Sequence, residues 1–183
     1  MPITKLKSCP QELWLGNKGY SSEGICYYMS KYVESICWDS AKVKSISDVE
    51  TAAKKSIPAT IIKWAKARNL QEKAGEAHGT PQDSMAHYNA VNGSLNTNSV
   101  YRIALWFGNN TAAPANNASV NHEAIVCTGT GSTSIFFEPN FGFYKISSST
   151  LNNRAALEHY VNSLYGANSY ATNFQYRRKR SVS

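Results

Sequence analysis

No apolar run in the 183-residue sequence approaches the roughly 20 residues that a membrane-crossing helix needs. The opening stretch, MPITKLKSCPQELW, has no apolar centre of the signal-peptide kind, so any export is expected to use a route without a cleaved signal. Cysteine is scarce. Cys9, Cys26, Cys37 and Cys127 are the whole complement, and none has C-x-x-C spacing. That pattern argues against zinc and thioredoxin chemistry, and no metal or cofactor is implied. Cys26 and Cys37 fall on what reads as one helix, about 16 Å apart at 1.5 Å per residue, too far for a disulfide. Reduced thiols are the expectation. RNP and helix-turn-helix signatures are missing too, so nucleic acid is not an expected partner.

Acidic residues are also in short supply. Asp and Glu number 12 against 19 Lys and Arg, a formal charge of +7. Part of the excess is the run Arg177-Arg178-Lys179-Arg180. It reads as a basic flexible tail over residues 177–183, after a single domain over 1–176. The partner such a run would suit is an anionic membrane surface or an acidic protein. Nothing in the pattern asks for more than a monomer. What is present is an ordinary globular composition, 42% hydrophobic, with enough length for a real core.

Periodicity divides the chain. Residues 1–20 look irregular. Ser21 or Ser22 can cap a helix from about Glu23, with Ile25, Met29, Val33, Ile36 and Cys37 on its buried face and Lys31, Glu34 and Ser35 outside. Ser47 or Asp48 can cap a second helix. Pro58 suits the first turn of a third, through Ala67. Residues 71–98 read as a long polar loop. From there the period is that of strands: Val100 to Phe107, Val120 to Thr128, Thr133 to Glu138 and Phe141 to Ile146. A last helix starts at Ser148 or Ser149 and stops at Gly166. Helices, then an antiparallel sheet, then a helix make an α+β domain.

Two positions carry chemistry. Cys26 lies in the first turn of a predicted helix, where unpaired N–H groups and the helix dipole favour a thiolate. Gly24 leaves space for a substrate beside it. A nucleophilic thiol needs a base. His122 and Glu138 are equidistant from Thr130, the centre of the turn Gly129–Ser132. In a hairpin such residues face each other on one side of the ladder, and the carboxylate can then orient the imidazole.

Three blocks, GICYYMSKYV, NHEAIV and FFEPNFGFYKI, resemble those of the YopT/AvrPphB-type cysteine proteases, a family of bacterial effectors. The resemblance implies a papain-like fold, with N-terminal helices packed on a C-terminal antiparallel sheet. It implies Cys26 as nucleophile, His122 as base and Glu138, in place of the family's usual Asp, as the acid that orients the base. It also directs attention to a side-chain amide upstream of the nucleophile for the oxyanion, and Asn17 and Gln11 are the candidates. The implied activity is cleavage of a host protein in the host cytoplasm, after type III or type VI-like delivery from a bacterium. A glutamine deamidase would use the same triad, and a papain-fold binding module without activity is the other alternative.

Overall fold

The stretch Ile135-Phe136-Phe137 is apolar without alternation because both of its faces are covered. It lies in β7 (Thr133–Glu138), near the middle of a seven-stranded sheet in which every described pairing is antiparallel. The computed structural model describes residues 3–11, 25–73, 88–107, 122–148, 153–165 and 171–179. Besides β7, the sheet contains β1 (Ile3–Ser8), β4 (Tyr88–Val91), β5 (Ser99–Phe107), β6 (His122–Thr128), β8 (Gly142–Ser147) and β9 (Ala171–Lys179). Their order across the sheet is β1-β8-β7-β6-β5-β9-β4. A small hairpin of β2 (Trp38–Asp39) and β3 (Lys42–Val43) stands apart from it.

Three helices cover one face: α1 (Ile25–Ile36), α2 (Ile46–Lys55) and α3 (Pro58–Lys73). Ile125, Cys127, Ile135, Phe137 and Phe143 point toward them and pack on Met29, Val33, Val49 and Ile61. The alternate residues, Tyr101, Ile103, Val126, Phe136 and Tyr144, meet Leu157, Tyr160 and Val161 of α4 (Asn153–Tyr165) on the other face. A period of two feeding two cores is the reason these strands read as continuous apolar runs.

The α+β class and the antiparallel sheet agree with the sequence reading; several details do not. Residues 3–8, expected to be irregular, form the edge strand β1 against β8. Its sequence, ITKLKS, is too polar, and its half-buried and exposed residues do not alternate, so it does not read as a strand. The second helix is capped by Ser45, whose hydroxyl accepts from the Asp48 N–H at 3.2 Å, and not by Ser47 or Asp48. Within the expected loop 71–98, residues 88–91 pair with β9 as an edge strand. Glu34, assigned to the outer face of α1, is buried.

The basic tail is the largest correction. Arg177, Arg178 and Lys179 end β9, hydrogen-bonded between β5 and β4. Lys179 is buried, with its Nζ 2.7 Å from Glu34 Oε1. A charge run normally marks a solvated end. Here Glu34 on α1 compensates the buried Lys179, so the end of the strand can enter the sheet. Arg180 lies outside the described residues.

Candidate functional site

The β6–β7 ladder pairs Ile125 with Phe137 and closes at Thr128 with Ser134. Gly131, at φ +76°, supplies the left-handed residue of the connection, and the Gly129 N–H donates to Thr133 O at 2.9 Å. This register differs by two residues from a turn centred on Thr130. Continued outward, it sets Ala124, not His122, across from Glu138. A slip of one would have sent the two side chains to opposite faces; a slip of two keeps them on one face as diagonal neighbours. The glutamate spans the diagonal. Its Oε1 is hydrogen-bonded to His122 Nε2.

That bond leaves Nδ1 as the ring nitrogen for a second partner, and the Cys26 thiol lies near enough to the imidazole to help raise its pKa. Cys26 lies in the first turn of the described part of α1 and is buried. His122 opens β6, so its ring sits at the end of the sheet, where a helix covering the opposite face can meet it. The structure thus joins His122 to Glu138 by a hydrogen bond and places the Cys26 thiol where it acts on the same imidazole.

Glu138 is 0% exposed. Its Oε1 also accepts from the Asn140 N–H at 3.0 Å, within a turn closed by Phe141 N–H to Glu138 O at 2.9 Å. Its Oε2 is buried without a hydrogen-bond partner. A buried carboxylate needs a compensating positive charge, and His122 provides one. Burial alone would drive the imidazole toward its neutral form. The Glu138 charge, with the nearby Cys26 thiol and the hydrogen bond to Glu138, overcomes this and raises its pKa from 6.5 to about 10. Two other thiols are held in their protonated form. Burial pushes Cys9 up to about 11. Cys37 is held well above the ordinary thiol value by its hydrogen bond to Cys127 and by burial.

The two oxyanion candidates fare differently. Asn17 lies outside the described residues. Gln11 is buried on the acid's turn: its N–H donates to Pro139 O at 2.8 Å, and its Nε2 donates to Asn140 Oδ1 at 2.5 Å. The Cys9 N–H donates to Phe141 O at 3.2 Å, so the segment after β1 braces the turn that carries Glu138.

A group the sequence reading passed over lies beside this line. Arg102 of β5 is 3% exposed and ion-paired to Glu34 of α1 and Glu123 of β6. Its signal was a lone charge inside the apolar strand VYRIALWF. Among the described residues, no group of three or more His, Cys, Asp or Glu could hold a metal ion.

No protein-family profile matches the chain, and no curated protein does. Among solved structures the chain is similar to the Pseudomonas avirulence protein AvrPphB. The identity is 15% and the TM-score 0.41, over 88% of this chain and 93% of that one. A superposition this loose carries no argument about chemistry by itself.

Proposed function

We propose that this chain is a papain-like cysteine hydrolase that cleaves a protein substrate. One observation carries the reading: the His122 imidazole is hydrogen-bonded to the fully buried Glu138, and this carboxylate and the nearby Cys26 thiol favour its cation. The resemblance of the three sequence blocks to the YopT/AvrPphB-type proteases supports the same assignment and points to peptide cleavage by a bacterial effector inside a host cell.

In this scheme the Cys26 thiol gives its proton to His122, and the sulfur attacks the substrate carbonyl as a thiolate. The imidazolium, stabilised by Glu138, then gives that proton to the leaving amine as the carbon–nitrogen bond breaks. A thioester remains on Cys26. Water attacks it while His122 takes a proton from the water, and the carbon–sulfur bond breaks to release the acid. The Cys26 backbone N–H offers one donor to the oxyanion.

The test is to incubate the protein and its Cys26→Ala variant with a host-cell lysate and read the products by mass spectrometry. New peptide N-termini that depend on Cys26 are expected. Conversion of glutamine to glutamate without chain cleavage would replace the protease by a deamidase. Neither change, with Cys26 intact, would overturn the hydrolase reading.

A further inference from the structure

Building on the hydrolase reading, we propose that Arg102 is a positioning residue that sets the Cys26 thiol against the His122 imidazole. One nitrogen of its guanidinium does two things at once. Nη2 donates to the backbone carbonyl of Tyr27 at 2.9 Å, and it binds Glu123 Oε1 at 2.5 Å. Tyr27 is the residue after the nucleophile, and Glu123 is the residue after the base. The start of α1 and the start of β6 are therefore held by a single atom on a third element, β5.

The rest of the side chain adds to the clamp. Nη1 donates to Glu34 Oε2 at 3.2 Å, nearly two turns further along α1. The guanidinium carbon lies over the Tyr27 ring, 4.7 Å from its centroid. Helix and strand share one more bond nearby, from Ser30 Oγ to the Glu123 carbonyl at 3.3 Å. A planar fork can grip a carbonyl and two carboxylates in fixed directions; an ammonium cannot.

Packing alone does not require this arrangement. The neighbouring positions that face the helices, Val100, Ile125 and Cys127, are apolar and bury well. Exchanging buried ion networks for apolar side chains is often neutral or stabilising. An arginine retained there, gripping the neighbours of two reacting groups, is explained by geometry. A shift of about 1 Å between such groups can cost on the order of 10²-fold in rate.

The experiment compares Arg102→Lys, Glu123→Ala and Lys179→Met with wild type. Lys179 pairs with Glu34, whose Cα lies nearly two turns along α1 from Tyr27, so it serves as the control for stability. Each protein is melted, and its Cys26 is labelled with iodoacetamide at pH 6 and pH 9.5. For Arg102→Lys, labelling at pH 6 is expected to fall about tenfold or more, with less than about a twofold change at pH 9.5. Glu123→Ala should give a smaller change of the same sign. Lys179→Met should melt earlier and keep the wild-type ratio of the two rates. If Arg102→Lys does not fold, Glu123→Ala decides. A folded Arg102→Lys or Glu123→Ala with the wild-type ratio would overturn the positioning role and leave the hydrolase reading standing. Labelling in wild type that ignores removal of His122 would instead overturn the hydrolase reading.

Discussion

Replacing Glu138 by Gln removes a charge from the site and little else. The amide has the same size, and its oxygen can still accept the Asn140 N–H that the carboxylate takes at 3.0 Å. The imidazolium loses its buried counter-charge. Two opposite charges about 4 Å apart interact by about 4 kcal/mol at the effective dielectric of a protein site. That corresponds to about three pKa units. His122, held at about 10 in the wild type, should titrate near 7 in the variant. The sign for stability follows. Because His122 is raised above its ordinary 6.5, the stabilisation from its proton is complete below pH 6.5 and is lost as pH rises toward 10. Wild-type stability should therefore decline across that window, while the variant should be flatter above pH 7. The assays are the His122 Cε1–H signal followed by NMR titration and thermal melts from pH 6 to 10. An unchanged His122 midpoint in the variant, or a wild-type midpoint near 6.5, would refute the reasoning.

Two stability experiments test the fold around the site. Gly142 has φ +125°, and an added Cβ would stand 2.1 Å from Lys7 O and 2.7 Å from Cys9 N. Gly142→Ala should cost about 3 kcal/mol or more, since the β1 backbone has to move away from the acid's turn; an unaltered melting temperature would contradict the described packing. Deleting residues 177–183 removes the end of β9 and leaves Glu34 without Lys179, a loss of about 3–5 kcal/mol by thermal or urea denaturation. A truncated protein as stable as the full chain would restore the mobile-tail reading.

The geometry of the candidate site was partly legible because strand parity is robust. Any even slip in the hairpin keeps His122 and Glu138 on one face, so the pairing survived an error of two residues in the register. The error arose at the turn: Gly129 and Gly131 both allow a bend, and only Gly131 takes the left-handed conformation. Burial of charge was not legible, because it depends on partners far apart in sequence. Glu34 looks like a surface residue until Arg102, 68 positions away, and Lys179 are brought to it. The same ion pairs explain why β9 resembled a solvated tail. β1 escaped notice for a simpler reason: an edge strand of half-buried and exposed residues carries little apolar signal. Gln11 was picked out as an amide for the oxyanion, yet its hydrogen bonds run to Pro139 and Asn140, the residues that follow the acid.

The central claim is that Cys26 is a nucleophile made ready by His122. The direct measurement is the rate of alkylation at each cysteine by an iodoacetamide probe across pH, read by mass spectrometry, for wild type and His122→Ala. Cys26 should react fast below pH 7, unlike Cys9 and Cys37, whose thiols are held in their protonated form, and it should lose that reactivity in the variant. A Cys26 that reacts no faster than Cys9, or that is indifferent to His122, would contradict the account.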